Sequence, residues 1–356
     1  MELKLIVAYI AGGASLISVL INVLLARSSE RSRQKHDREM NDLQGKQETR
    51  LKLLEAQLTD VHSERDARRD YEYEARKRLY AEVEPVLFQL VELSEAALHR
   101  IYSLARMARL GNLDANPSSW LSDGSHYYYR STLYHLMAPL AAVKLLQQRI
   151  TFVDLTVEKS IVAQYALAKR LYFSFTDDFE FARCEPAISY DPNSNELTPE
   201  IRRAEPWKFW RQGVFIGWLE NFAEAMLVEG TNGRATRVKS FGEFETAWNK
   251  AESSLAQAAK NIEYLLLYFH PQKRPVLWRT LVVQSCIYAA FFNIRENKLR
   301  GIAPSEKPLT GIPRSKRGDF DWRGDPTEVS AKEALEAPFS VAEHYLEKHL
   351  SEFWAR

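Results

Sequence analysis

An uncharged apolar run near the start of the chain constrains this protein more than any other feature of its sequence. No charged residue occurs between Leu5 and Ala26, and a cluster of basic residues follows directly: Arg27, Arg31, Arg33, Lys35 and Arg38. A helix of about 20 apolar residues rises about 30 Å, which is the thickness of the hydrocarbon core of a bilayer. Residues 1–26 are therefore predicted to form a short outside tail and a transmembrane anchor.

The charges around this run predict its orientation. A cleaved secretory signal has a shorter apolar core, of about 7–15 residues, and carries its positive charge before that core. Here the basic cluster follows the run, and basic residues beside a span mark its cytoplasmic side. We expect an uncleaved single-pass anchor in the inner (cytoplasmic) membrane, with the N-terminus outside and the C-terminal domain in the cytoplasm. The five basic residues are expected to contact anionic lipid.

One face of the predicted span is small and polar. Reading every third and fourth position along the run gives Ala8, Ala11, Ser15, Ser18 and Asn22. Small side chains let membrane helices approach closely, and polar ones hydrogen-bond across the interface. The seam predicts self-association, and hence a homo-oligomer, because Asn22 would otherwise face lipid unpaired.

Residues 27–70 predict a charged helical stalk. The segment has no proline and a single glycine, Gly45. Leu51, Leu54, Leu58 and Val61 repeat at a spacing of three and four, which is the pattern of a coiled coil over two heptads. The alternative is a solvated single helix held by charge pairs such as Glu48 with Lys52.

Composition predicts a folded cytosolic body after the stalk. Of the 356 residues, 46% are hydrophobic and 12% aromatic, and the net charge of +1 lacks the basic excess of a typical nucleic-acid-binding protein. Nucleic acid is not the expected main partner, although it stays open as one. Two cysteines, Cys184 and Cys286, suit a reducing compartment.

Helical periodicity predicts an all-α class with a multi-helix bundle in residues 71–303. No alternating strand and no hairpin is expected. Proline is tolerated in a first turn or at a kink, so Pro85 is expected near the start of a fresh helix and Pro139 at an interruption. The predicted helices end near Leu110, run from His126 to Phe152, follow Asp154, follow Pro206, span Phe241–Phe269 and run from Pro275 to Arg300, with Gly301 as a C-terminal cap.

The C-terminal part is predicted to be a loop in residues 304–329 and an amphipathic helix in residues 330–356. The loop contains the basic residues Arg314, Lys316, Arg317 and Arg323, which suit anionic lipid or nucleic acid. Nearby aspartates offset them and favour a solvated loop. The apolar segment Val276–Ile294 contains Arg279, and its charge-free part is too short to cross a membrane, so a buried core helix is expected there.

The helix predicted after Pro206 offers one candidate ligand pocket. Gly213 and Gly217 lie four residues apart, and Glu220, Asn221 and Glu224 follow on the same face. One interpretation is a close helix crossing at the glycines with a polar edge in water. The other is a polar pocket beside the crossing that uses the two carboxylates as a ligand or an acid–base pair.

No metal site and no cofactor is predicted. The eight histidines form no HExxH motif, and no glycine-rich phosphate loop is present. One catalytic pattern can be extracted, in the segment Arg130-Ser131-Thr132-Leu133-Tyr134-His135. It resembles the Arg-x4-His motif of the HEPN ribonucleases, which are all-helical. The resemblance implies that Arg130 and His135 act on an RNA backbone, usually across a dimer.

A broader resemblance covers much of the chain. The residues that carry it are Ser131 to Tyr134, Ile150 to Leu155, and Arg211-Gln212 with Ile216-Gly217, after an anchor and a charged stalk. This order is similar to that of an uncharacterised group of bacterial single-span membrane-anchored helical proteins. The resemblance implies a bacterial source and carries over no established activity.

Two classes of function follow. The first is an interaction, sensor or scaffold module held at the membrane of a bacterial cell, with defence or signalling as its setting and with lipid and a protein as partners. The second is a membrane-tethered HEPN-like ribonuclease that uses Arg130 and His135. The sequence favours the first class, because no other catalytic residue types converge with that pair.

Overall fold

The computed structural model is mostly helical, with 75% of the residues in helices and 2% in strands. This agrees with the predicted all-α class. The structure describes residues 2–113, 119–151, 153–194, 198, 200, 206–230, 233–299, 311–323 and 329–354. Only the backbone is described for residues 2–17, 156, 206, 207, 298, 299, 329–332 and 352–354. The predicted cap Gly301 lies outside the described residues.

The first helix, α1, runs without interruption over Glu2–Arg109. By its contacts the chain divides into two compact units, Met1–Tyr73 and Glu74–Arg356, and α1 contributes residues to both. Pro85 lies inside this helix, so the predicted fresh start near it is wrong. Proline removes one backbone hydrogen bond, and the burial of Val83, Val86 and Leu87 beside it offsets that loss. The end of the helix near Leu110 agrees with the prediction.

The second unit contains further helices and one short hairpin. Its described residues form α2 Tyr127–Ile150, α3 Lys159–Phe173, α4 Asp178–Arg183, α5 Pro206–Phe209, α6 Ile216–Ala225, β1 Leu227–Glu229, β2 Ala235–Val238, α7 Phe241–Asn249, α8 Ser254–Ala259, α9 Pro275–Leu299, α10 Arg314–Arg317 and α11 Val329–Trp354. Short 3-10 turns lie at Leu155–Val157, Glu263–Leu265 and Gly318–Phe320.

Helix α9 forms the centre of the core. Residues 276–288 are buried on every face, and the helix packs against α3, α4 and α11. Among the described residues, Pro275–Asn297 has the length and composition of a membrane span, and 83% of its most apolar part is buried inside the protein. This burial agrees with the predicted core helix. The finding does not extend to residues 2–17, whose side chains are not described.

Two predicted helices are divided in the structure. The helix expected after Pro206 consists of α5 and α6, and Gly213 lies in the loop between them. The helix expected over Phe241–Phe269 consists of α7, α8 and a 3-10 turn. The Ser253 hydroxyl accepts a hydrogen bond from the Ala256 amide at 3.0 Å and starts α8, which explains the second break. In contrast, α2 passes through Pro139 without the expected interruption.

The short antiparallel hairpin of β1 and β2 corrects the expectation of no strands. Leu227 pairs with Val238, and a bulge follows Val228. Two basic side chains bind carbonyls of the hairpin: Arg149 Nη2 of α2 donates to the Ala235 carbonyl at 2.8 Å, and Lys239 Nζ, directly after β2, donates to the Leu227 carbonyl at 2.6 Å. Edge groups bonded in this way do not offer a template for another strand.

The predicted loop over residues 304–329 is wrong for its described part, residues 311–323. This segment forms α10 and a 3-10 turn, and it buries Ile312 and Phe320. Arg317 is only 8% exposed and donates hydrogen bonds to Glu336 and Glu343 of α11. Because α11 supplies these two carboxylates, Arg317 joins two elements instead of facing solvent.

Candidate functional site

A groove of about 810 Å³, lined by apolar and charged side chains, lies in the second unit. Its walls come from α1, the end of α2, α6 and the hairpin. The lining residues are Arg78, Ala81, Glu82, Gln148, Arg149, Thr151, Val153, Glu224, Leu227, Glu229, Gly233, Arg234 and Ala235. Charged side chains of both signs therefore face one space.

Arg149 organises the centre of this groove. Its Nη1 atom donates to Glu82 Oε2 at 3.0 Å, and its Nη2 atom donates to the Ala235 carbonyl at 2.8 Å. The Arg149 side chain is 23% exposed, so the guanidinium is held by two elements while one face stays open to the groove. Such fixed charges bind a complementary ligand without first having to be ordered.

The predicted pocket residues lie on α6 beside a lysine, and one of them lines the groove. Glu220 and Glu224 lie one turn apart on α6, and both contact Lys144 Nζ of α2, at 3.6 and 3.2 Å. The carboxylate side chains are 48% and 55% exposed, Asn221 is exposed, and only Glu224 lines the groove. The predicted glycine crossing is also wrong, because Gly213 is outside the helix and a side chain added at Gly217 would meet no atom within 4 Å.

Arg130 and His135 have separate surroundings on α2. The Arg130 guanidinium lies 3.2 Å from Glu245 Oε1 and donates to Asn249 Oδ1 at 3.2 Å, so it is engaged with α7. The His135 ring stacks on Phe241 with ring centroids 6.4 Å apart. Five positions on an α-helix turn the two side chains about 140° away from each other.

The electrostatics of His135 favour its neutral form. Burial, with the positive charge of Arg100 adding to it, lowers the pKa of His135 to about 4. A histidine with that pKa is uncharged at neutral pH, so it is not present as an imidazolium that could act as a general acid. Nothing in this geometry brings Arg130 and His135 together on one substrate.

A buried polar network around Gln212 was not evident from the sequence. Gln212 Oε1 accepts hydrogen bonds from the amides of Val276 at 2.9 Å and Leu277 at 3.1 Å, so it caps the start of α9. The Arg211 carbonyl accepts from Arg274 Nη1 at 2.8 Å. The Arg211-Gln212 segment therefore holds the core helix in place. Because Gln212 lies 64 positions before Val276 in the sequence, no pattern near the start of α9 indicates this cap.

A second polar cluster joins α4 to α11. His349 Nε2 lies 3.0 and 3.1 Å from the two oxygens of Glu180, and Lys348 Nζ donates to Glu180 at 2.8 Å. Tyr345 donates a hydrogen bond to Asp177. Burial raises the pKa of Asp177. Burial acts in the same direction at Glu180, but hydrogen bonds from Lys348 and His349 outweigh it and lower the pKa of Glu180. The cluster ties the C-terminal helix to the core.

In the first unit, every residue from 18 to 71 is exposed. Ser18 and Asn22 of the predicted membrane seam are among them, whereas the side chains of Ala8, Ala11 and Ser15 lie outside the described residues. The basic residues predicted to contact lipid are exposed as well: Arg27, Arg31, Arg33, Lys35 and Arg38. Intrahelical pairs do form along the stalk, for example Lys46 with Asp42 at 2.8 Å and Arg68 with Glu72 at 3.2 Å.

Among the described residues, no group of three or more histidine, cysteine, aspartate or glutamate side chains is placed to hold a metal ion. Comparison of the chain with protein-family models, with curated proteins and with solved structures finds no match.

Proposed function

We propose that this protein is a single-span membrane-anchored interaction module of a bacterial cell, with its helical body in the cytoplasm. The observation that carries the proposal is the exposure of the apolar residues before the basic cluster. Large apolar side chains between positions 19 and 25 are 46–61% exposed: Val19, Leu20, Ile21, Val23, Leu24 and Leu25. A helix that is apolar all round needs either a protein core or a membrane around it.

Energetics support the membrane as that environment. Fully burying a Val, Leu or Ile side chain is worth about 1.5–3 kcal/mol, so half-exposed side chains each gain about 1 kcal/mol when lipid covers them. Arg27 and the basic residues that follow it supply the charge that retains a segment in the cytoplasm. This arrangement predicts two kinds of contact with lipid: acyl chains surround the span, and anionic headgroups contact the basic cluster.

The groove around Arg149 is the proposed partner site of the body. Its fixed charges of both signs suit a polypeptide segment that carries both signs itself. Pairing between such segments gives specificity, because each misplaced charge meets a like charge. The module would then recognise a protein partner at the membrane surface.

Membrane extraction tests the anchor. The full chain is expected to stay in the pellet after alkaline carbonate treatment of bacterial membranes. Replacing Val19 and Leu20 together by Arg should move it to the supernatant, because the two charges shorten the uncharged run well below the about 20 residues that a span needs. Replacing the exposed stalk residue Leu53 by Arg is the matched control and should leave extraction unchanged.

A reporter fused after Arg356 tests orientation in the same strains. Green fluorescent protein should fluoresce there, and alkaline phosphatase, which folds in the periplasm, should be inactive. Active phosphatase at that position would contradict the proposed orientation. Wild-type protein in the carbonate supernatant would contradict the anchor itself.

A further inference from the structure

The stalk part of α1 carries a stripe of apolar side chains that no described residue of the chain covers. Met40, Leu51, Leu54, Leu58 and Val61 are between 45% and 59% exposed. Single exposed leucines are ordinary on a protein surface, but a regular repeat at three and four residues is the mark of a helix partner. The stripe is therefore an unpartnered helix face.

The stripe continues the polar seam of the predicted span. An α-helix advances about 100° per residue, so about eight turns bring residue 51 to within about 20° of residue 22. By the same count, a strip about 80° wide holds Ser18, Asn22, Met40, Leu51, Leu54, Leu58 and Val61. This count applies because α1 has no break between these positions. One partner helix can therefore follow the strip from the span into the stalk.

Charges beside the stripe identify that partner as a second copy of this chain. With Leu51 and Leu54 at the core positions of a heptad, a parallel in-register pair sets Arg50 of one copy opposite Glu55 of the other. The next heptad pairs Gln57 with His62, and the one after it, beyond the last apolar core position, sets Glu64 opposite Arg69. Both charged contacts join opposite charges, and two-fold symmetry makes each of them twice.

The charges in question are available for such contacts. Arg50, Glu55 and Glu64 form no ion pair with any described residue, and the contact of Arg69 with Asp66, at 3.3 Å, involves side chains 76% and 61% exposed. Ion pairs this exposed hold a side chain weakly, so Arg69 can exchange its partner at little cost.

We propose that two copies of this chain pack parallel and in register along this strip, from Ser18 and Asn22 to Val61. Two apolar heptads alone do not sustain a coiled coil. Confinement in a membrane supplies the missing stability, because it raises the effective concentration of the second copy. The orientation and this concentration effect rest on the proposed anchor, whereas the pairing surface does not.

Disulfide cross-linking in isolated membranes tests the pairing. The full chain carries Cys184→Ser, so that the partly exposed native thiol is absent from all samples. Leu54→Cys is compared with Leu53→Cys, its neighbour of similar exposure on another face of the helix; the exposures are 47% and 57%. A disulfide needs Cα atoms closer than about 7 Å, so oxidation should cross-link Leu54→Cys at least about tenfold more than Leu53→Cys.

A charge exchange tests the register. Glu55→Arg should reduce cross-linking through Leu54→Cys, and Arg50→Glu combined with Glu55→Arg should restore it. Equal cross-linking at positions 53 and 54, or no rescue by the double exchange, would overturn the proposal. So would a heterodisulfide between Leu51→Cys and Val61→Cys in co-expressed chains, because it requires an antiparallel pair.

Carbonate extraction of the same membranes separates this inference from the anchor. Chain retained in the pellet without cross-linking at Leu54→Cys would overturn the pairing and leave the anchor standing. Chain released by carbonate that still cross-links at Leu54→Cys would support the pairing surface and contradict the anchor.

Discussion

The side chain of Asp178 packs against Gly213 and leaves no room for a side chain there. A Cβ atom built at this residue would lie 2.4 Å from Cγ of Asp178, which is itself only 2% exposed. Tyr190 Oη donates to Asp178 Oδ2 at 2.6 Å and also accepts the Gln212 amide at 2.8 Å, so the carboxylate cannot move freely. Gly217, four residues later, has open space around it.

Substitution of the two glycines should therefore have opposite effects. We expect Gly213→Ala to lower the free energy of unfolding by about 1–3 kcal/mol, because overpacking shifts the buried Asp178 network. Gly217→Ala should be neutral or stabilising by up to about 1 kcal/mol, because alanine is the better helix former. Denaturant unfolding of the full chain in mild detergent measures both. Equal effects would contradict the assigned contact.

His135 should make stability depend on pH. Its pKa is about 4 in the folded protein, through burial and Arg100, against about 6.5 in an unfolded chain. Between these two pH values the unfolded state binds the proton and the folded state does not. The contribution of His135 to the free energy of unfolding is therefore fully present above pH 6.5 and is lost as the pH drops towards 4. The loss at pH 5 should be about 1–2 kcal/mol.

A comparison of variants isolates this contribution. Unfolding free energies are measured at pH 7.5 and pH 5 for the wild type and for His135→Phe, which keeps a ring beside Phe241. The variant should lose less stability at pH 5 than the wild type. His99→Phe is the control, because the His99 side chain is 71% exposed, and it should follow the wild type. A pH response that His135→Phe leaves intact would refute the assignment.

At the level of elements, side chains distant in sequence hold the helices together. Arg237 binds both carboxylate oxygens of Glu243 at 2.7 Å and so fixes the hairpin against the first turn of α7. These bonds, and those from Ser240, lower the pKa of Glu243 to about 2. Arg279 caps the end of α4 by donating to the carbonyls of Phe181 at 2.6 Å and Cys184 at 2.9 Å.

The segment 311–323 should depend on Arg317. This side chain donates to Glu336 and Glu343 and lies over the Phe339 ring at 4.7 Å. Arg317→Gln removes the charge, and we expect a loss of about 1–3 kcal/mol with faster amide exchange in residues 311–323 and in α11. Arg323→Gln is the matched control, because Arg323 Nε lies 3.7 Å from its carboxylate partner, Asp321. Unchanged exchange in Arg317→Gln would count against a joining role.

Element boundaries were predictable where a local signal decides them. The ends of α1 near Leu110 and of α11, and the start of α9 at Pro275, follow from glycine, proline and helical period. The breaks expected at Pro85 and Pro139 do not occur, because packing on both sides of each proline outweighs one lost hydrogen bond. The hairpin was not predicted, since strands of three and four residues are too short to show an alternating pattern.

At the level of the whole molecule, the two units differ in what surrounds their side chains. Residues 18–71 are exposed throughout, whereas the second unit buries a continuous core of aromatic and aliphatic side chains. Among the described residues, the exposed apolar side chains of α1 would gain free energy if another molecule covered them. The extraction experiment tests the anchor, the reporter fusion tests its orientation, and the cross-linking experiment tests the self-association.

The amino-acid sequence alone was sufficient to predict an all-helical fold, the helical nature of residues 27–70 and a buried central helix, because helical period and charge are local properties. Only the folded chain decided what the candidate residues do. Lys144 joins Glu220 and Glu224, Phe241 covers His135, and α11 neutralises Arg317, each across a long stretch of sequence. Such contacts depend on which helices pack together, and the pattern of apolar residues specifies that a face is buried but not which partner buries it.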